Sequence, residues 1–312
     1  MTKQVRIRPG VVVINRGNEI YVGHLQKSLS FSDSSALPIL HQLREWISCE
    51  QLVAMNLDQP GMVFELITRL GKEGFIEIRH ESVGGVEMVI SHMNEVGILL
   101  TPLLINHGFM LSTLDSRHVA TSDICGQYLR MSDIGVTFKE IIAAQNRELI
   151  NSGKSENRLV HATKSWKKIV IITAYPEPEL LALLMAEGYE YLCAIATPFG
   201  AEIGPFVKPG VSPCFFCIEL WRSEMDDQWQ KIAAALFMER KKPVLMTSAL
   251  MTVAALAEFL LPVIQSEIPH ENRGITHSLT FERGASEGII PSITSTSQRW
   301  SMHPECSCHW GT

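Results

Sequence analysis

The chain has 312 residues, with 27 Lys/Arg against 33 Asp/Glu, so 27 − 33 leaves a net charge of −6. That length suits two or three domains, and 46% apolar with 19% charged residues excludes a disordered chain or a long coiled coil. The mild acidity excludes a global attraction to phosphate backbones.

In chain order, residues 5–14 (VRIRPGVVVI) and 19–24 (EIYVGH) predict two strands. β-Branched residues recur at Val11, Val13, Ile20 and Val22, and Asn15-Arg16-Gly17-Asn18 supplies turn chemistry between them. A Ser/Asp-rich stretch at 30–35 leads into a helix whose apolar Ala36, Leu40, Leu43 and Ile47 share one face. Pro38 must lie in its first turn, where no intrahelical donor is needed. Ser48 with Gln51 three residues on matches a capping box and predicts a short second helix. A third helix covers about 61–70, its stripe made by Met62, Val63, Leu66, Ile67 and Leu70, with Gly71 as its C-terminal stop. A turn at Lys72-Glu73-Gly74 and an alternating strand at 75–79 (FIEIR) complete a winged-helix-like unit over residues 1–82.

The pattern then changes. Strands at 86–91, 109–114, 168–174 and 189–197 alternate with helices at 95–107, 138–151 and 177–187, the order of an α/β domain with a parallel sheet. Residues 151–168 read as a polar linker and 200–240 as a loop rich in Gly, Pro, Cys and Trp. The apolar run 244–264 carries Glu258 and Pro262 and reads as a buried helix rather than a membrane span. Residues 275–282 predict a further strand. There is no internal repeat.

The seven cysteines come without an apolar signal-peptide core in the first residues, so a reducing cytosol is expected. Cys214 and Cys217 form a C-x-x-C knuckle, and Cys306 and Cys308 add two thiols. Two close pairs are what a tetrahedral thiolate zinc site needs, and a closed four-thiolate site is structural, not catalytic. His303 and His309 flank the second pair and could replace one thiolate; as solvated tail residues they would do nothing. Cys49, Cys125 and Cys193 read as unreactive thiols.

Residues 86–115 have the order of a nucleotide-binding β-α-β start, which holds phosphates through G-x-G-x-x-G. The matching stretch here is His92-Met93-Asn94-Glu95-Val96-Gly97, with the last glycine alone in place. Glu95 adds a negative charge where phosphates would sit. Asp115 stands where a ribose-binding acid belongs, and serves equally well as a loop or capping residue. The expectation is a retained fold without ATP binding. DNA reading is disfavoured too: residues 1–80 carry nine bases against eight acids, and the third helix offers only Arg69 against Glu65. A zinc-containing transcription regulator therefore ranks last.

These residues resemble the ThiF/MoeB superfamily of ubiquitin-activating-like adenylating proteins. The resemblance is carried by Leu114-Asp115, Thr121-Ser122-Asp123-Ile124, Tyr128-Leu129-Arg130, and Asp133-Ile134-Gly135 before Lys139. One branch resembles the chain more fully, the leader-peptide-binding partner of YcaO-type azoline-forming cyclodehydratases. Arg8-Pro9-Gly10, Gly204-Pro205-Phe206-Val207 and Pro209-Gly210, with Pro213 and the C-x-x-C, carry that likeness. So do Glu219, Trp221-Arg222, Asp226-Asp227, Trp229, Arg299-Trp300 and His303-Pro304 before Cys306 and Cys308.

The resemblance implies a non-catalytic scaffold subunit for a ribosomally made, bacteriocin-type precursor peptide. Its leader would add as a strand beside the wing and pack on the third helix. The contact candidates are Val63, Ile67 and Leu70 on the helix and Phe75, Ile76, Glu77, Ile78 and Arg79 on the strand. Residues 83–312 would be a ThiF-like body with structural zinc, while the YcaO partner binds ATP and makes thiazolines or oxazolines. A flavin dehydrogenase is a further partner, a homodimer is expected, and neither nucleic acid nor membrane is. The alternative is an active adenylating enzyme acting on a peptide or sulfur-carrier C-terminus.

Overall fold

The computed structural model describes residues 3–80, 86–107, 109–124, 128–151, 167–265, 273–282 and 292–309. They divide into two compact units: Met1–Val83 with Pro262–Glu267, and Gly84–Leu261 with Ile268–Thr312. Cys125 lies outside the described residues.

The first unit begins with β1 (Lys3–Ile7), β2 (Val12–Asn15), β3 (Ile20–His24) and β4 (Lys27–Phe31). The single strand expected over 5–14 is broken, because Arg8-Pro9-Gly10 turns the chain and Gly10 takes φ +89. β2, β3 and β4 form an antiparallel meander. The serine-rich β4 was not anticipated; only its Leu29 and Phe31 turn inward. Then come α1 (Ala36–Gln42), the two-residue β5 (Ile47–Ser48), α2 (Cys49–Met55), α3 (Pro60–Lys72) and β6 (Ile76–His80).

Ala36, Leu40 and Leu43 are buried as their spacing predicts, but Ile47 leaves the helical face and pairs in β5 with Val5. The reason is local. Ser48 must be extended to cap α2, and its side chain and that of Gln51 exchange hydrogen bonds with each other's backbone N–H, at 3.0 and 3.2 Å. Gly71 does not stop α3, which runs to Lys72; the glycine in left-handed backbone is Gly74, at φ +75. β5, β1 and β6 form an antiparallel sheet in that order, with Arg6 opposite Glu77 and an ion pair of 2.9 Å between them. Val63, Leu66 and Leu70 of α3 are buried against this sheet and meander, together with Val5, Ile7, Phe75 and Ile76.

The second unit contains β7 (Val86–Ile90), α4 (Glu95–Asn106), β8 (Met110–Thr113), α5 (Phe138–Asn151), β9 (Lys167–Ile172), α6 (Pro178–Ala186) and β10 (Glu190–Thr197). It continues with β11 (Gly200–Val207), α7 (Phe215–Met225), α8 (Trp229–Glu239), α9 (Met246–Gln265, of which 262–265 belong to the first unit), β12 (Ile275–Glu282) and β13 (Ser292–Arg299). The sheet has seven strands in the order β13-β12-β11-β10-β9-β7-β8.

The parallel expectation holds for β8, β7, β9 and β10 and fails beyond them, where the pairings are antiparallel. Only Pro198 and Phe199 separate β10 from β11, and two residues permit a hairpin but no crossover. The stretch 200–240, expected as a loop, is β11 and two helices. In α9, Ala249, Val253, Leu256 and Leu260 are buried on one face, and no described helix is long and apolar enough to cross a membrane. After β7 the chain goes to β8 on one side and then to β9 on the other. The crevice above β7 is therefore the switch point at which open α/β sheets bind ligands.

Candidate functional site

That crevice is a cavity of about 800 Å³ lined by His92, Asn94, Glu95, Asp115, Arg117 and Arg240, among others. A phosphate site here would need free backbone N–H groups in the turn after β7. Two of the N–H groups here are already taken by side chains. Met93 N–H donates to Asp115 Oδ2 at 3.0 Å, and Gly97 N–H to Asn94 Oδ1 at 3.1 Å. Asn94 Nδ2 and Thr173 Oγ1 tie the turn to the end of β9, at 2.8 and 2.7 Å. Gly97 is required where it stands, since a Cβ there would collide with the His92 carbonyl.

Asp115 takes the loop role rather than the open ribose-binding one. Arg117 donates to it at 3.0 Å, to both oxygens of Asp123 at 2.9 and 2.8 Å, and to the Met93 carbonyl. The guanidinium thus sits between the two acids and the turn. His92 lies 3.8 Å from Glu177, but burial outweighs that carboxylate and Asp115 and lowers its pKa, so the imidazole is neutral at pH 7.

A second cavity of about 490 Å³ adjoins this one, lined by Tyr175, Ile195, Phe215, Arg222, Trp229 and Leu236, among others. Its polar floor is organised by Glu219, which accepts from Tyr175 OH at 2.6 Å, Trp229 Nε1 at 3.0 Å and Arg222 Nη1 at 3.3 Å. Arg222 also reaches Glu202 at 2.9 Å. Burial, and then the Glu219 carboxylate, push the Tyr175 pKa far up, so its hydroxyl keeps its proton. Arg117, Tyr175 and Glu202 were not singled out from sequence. Glu219, Arg222 and Trp229 are among the residues that carry the family resemblance.

The four expected cysteine ligands come together. Cys214 caps the start of α7, Cys217 follows in its first turn, and Cys306 and Cys308 arrive from the segment after β13. The sulfurs lie within 4.8 Å of one another, with 214–217 at 3.8 Å, 214–306 at 3.6 Å and 217–308 at 3.4 Å. A tetrahedral ion with bonds of about 2.3 Å needs sulfurs about 3.8 Å apart, so the cluster could hold a metal ion.

Four thiols this close cannot ionise together without a cation. The hydrogen bond from Cys214 brings Cys217 down to about 5, while Cys214 itself is held well above a free thiol and burial pushes Cys308 up to about 12. His303 is neither ligand nor solvated tail residue. It is buried, accepts from Glu305 N–H at 3.1 Å through Nδ1, faces Glu224 at 3.0 Å through Nε2, and packs edge-on to Trp221 at 4.6 Å. With Trp221 Nε1 donating to the Ser301 carbonyl at 2.9 Å, it fastens the ligand-bearing tail to α7. Cys193 is buried and its pKa raised, and Cys49 is half-buried.

In the first unit, Val63, Leu70, Phe75 and Ile76 are core residues, while Ile67 and Glu77 are half-buried. Ile78 pairs with Val5 and Arg79 with Gln4 across to β1. The other edge of β6 pairs with no strand among the described residues. Phe64 lies one turn from Ile67 on α3 and is 58% exposed.

No protein-family model matches the chain, and no curated protein matches it in sequence. Solved structures do match. E. coli MccB with ATP superposes with a TM-score of 0.60 at 14% identity, over 98% of this chain and 99% of that one. The chain has the fold of MccB. The microcin C7 biosynthetic enzyme MccB in complex with N-formylated MccA matches at 0.56 and 15% identity, with the same shares covered. A weaker likeness, to the heterocyclase TruD, has a TM-score of 0.48 at 13% identity, over 97% of this chain and 42% of that one. The MccB likeness covers both units.

Proposed function

We propose that the chain is a non-catalytic, leader-peptide-binding scaffold subunit of an azoline-forming cyclodehydratase that works with a YcaO-type partner on a ribosomally made precursor peptide. The observation that carries the loss of adenylation is the closed turn after β7. Its Met93 N–H is committed to Asp115, and Arg117 fills the space between Asp115 and Asp123. In this reading residues 1–82 recognise the leader and residues 83–312 hold it in place. The leader adds as a strand to the edge of β6 that pairs with no described strand, with Ile67 and Glu77 as side-chain contacts and Ile78 and Arg79 in the paired backbone.

Scaffolding supplies effective concentration, because a tethered core peptide meets the partner's active site as an intramolecular reactant. The four cysteines hold one structural zinc, since a site closed by four thiolates leaves no position for substrate. A flavin dehydrogenase acting on the azolines is a later member of the same assembly.

A second reading, an active adenylating enzyme, is favoured by the cavity of about 800 Å³ above β7 and by the MccB structure with ATP. Titration with the candidate precursor peptide beside a titration with ATP–Mg²⁺ separates the two. Scaffolding predicts leader binding and no ATP-dependent pyrophosphate exchange by this chain alone. Robust exchange with any peptide would establish the adenylating enzyme instead.

A further inference from the structure

The scaffold role makes no use of the cavity of about 490 Å³. Its volume suits a small organic molecule, and its lining residues all belong to the second unit. Much of the wall is apolar or aromatic, formed by Tyr175, Ile195, Phe215, Trp229, Leu236 and Val244. The Tyr175 and Phe215 rings meet edge-on, with centroids 5.6 Å apart.

The charges decide what fits. Each base that lines the cavity is already held by a carboxylate. Lys242 meets Glu239 at 2.7 Å, Arg240 meets Glu177 at 2.9 Å, and Arg222 meets both Glu202 at 2.9 Å and Glu219 at 3.3 Å. Three bases against those four acids, 3 − 4, leave −1. The surplus lies at Arg222, where one guanidinium serves two carboxylates. The side chains of Arg222, Glu219 and Glu202 are only 17%, 19% and 24% exposed, so water screens that surplus poorly and a counter-charge is favoured. Lys241 does not supply it from within, since it lines the other cavity.

Glu219 is occupied by three donors, Tyr175, Trp229 and Arg222. Glu202 lines the cavity and accepts from Arg222 through Oε1, while its Oε2 has no hydrogen-bond partner among the described residues. The aromatic walls favour the same sign of ligand, because the faces of Trp, Tyr and Phe attract cations. The Arg222 guanidinium already stands 5.0 Å from the Trp229 ring centre. An anion would meet neutralised bases and a surplus carboxylate, and a bare metal ion too few oxygens.

We propose that this cavity binds a small organic cation, an ammonium group on an aromatic or aliphatic body, with Glu202 as its counter-ion and Tyr175 and Trp229 as its walls. A free amine and the lysine side chain of a peptide offer that same chemistry. The inference is independent of leader binding at residues 1–82.

Isothermal titration calorimetry on the full chain, with zinc present, tests it. Phenethylamine stands for a free amine, Nα-acetyl-lysine amide for a peptide side chain, and 3-phenylpropionate for an anion of similar shape. At least one of the two amines is expected to bind about tenfold or more tighter than 3-phenylpropionate, and the tighter amine names the source. Glu202→Gln should weaken amine binding about tenfold, and Trp229→Leu about fivefold. The comparison of cation with anion on the wild type keeps the test decisive if a variant misfolds. Equal binding of 3-phenylpropionate overturns the proposal, as does failure of both amines to bind at millimolar concentration. Unchanged amine affinity in a folded Glu202→Gln chain overturns it as well.

Discussion

Arg117 shows how one side chain can tie two acids to the turn after β7. Asp115 and Asp123 have side chains only 10% and 11% exposed, so each relies on the guanidinium to offset its burial. Arg117→Ala should lower stability by about 1–2 kcal/mol in urea unfolding, a figure reduced because the arginine itself is partly in water. Lysine should not restore it, having no planar fork to span two acids. A variant with a wild-type midpoint would show that the bridge is ornamental. The cysteines make the opposite case, a site legible in advance, because the spacing of two close pairs carries its own geometry. Cys217→Ser should drop bound zinc from about one per chain to near zero by metal analysis, with several kcal/mol of stability lost alongside. Arg117 was not legible, because its role exists only once β8 and the turn at Thr121–Asp123 have been folded against the loop after β7. His303 was misjudged for the same reason, since only the fold brings Trp221 and Glu224 to it.

Among elements, α3 carries fully buried and half-buried apolar residues side by side. Val63, Leu66 and Leu70 hold the core, each worth about 1.5–3 kcal/mol in burial, so a charge at Val63 or Phe75 should unfold the unit and report nothing about peptide. Ile67, half-buried beside that core, is the informative position. Ile67→Asp should leave the circular dichroism spectrum unchanged and weaken leader binding by about tenfold or more, read by fluorescence anisotropy. Unchanged affinity in the folded variant would move the peptide elsewhere. Helix α5 was predicted with its observed bounds, and α4, α6 and β10 to within a residue, because a clear apolar pattern ended in a recognisable cap or turn. β4, β5, β11, α7, α8 and β13 were missed. β4 and β13 are rich in serine and threonine and bury few side chains, so they lack the alternation that marks a strand. α8 has the composition of a buried helix and the exposure of a surface one, and the Gly, Pro and Trp before it read as a loop.

For the whole molecule, the mixed sheet separates two kinds of chemistry. Its parallel half builds the crevice above β7, and its antiparallel half leads the chain back to α7 with Cys306 and Cys308. The pairing of that second half could not be read in advance, because it follows from the brevity of one connection and not from composition. The ligand pairs lie far apart along the chain: Cys214 and Cys306 are separated by 92 positions, yet their sulfurs are 3.6 Å apart. An ion held between them would act as a clasp. Chain synthesis must pass Cys308 before it can close, so the knuckle on α7 waits for its partners through most of the sheet's antiparallel half. Once closed, it removes the entropy of a very long loop from the unfolded state. A protease nick between α7 and β13 would then leave two fragments held by the ion as well as by the sheet pairings, and a chelator should let them part at a lower urea concentration.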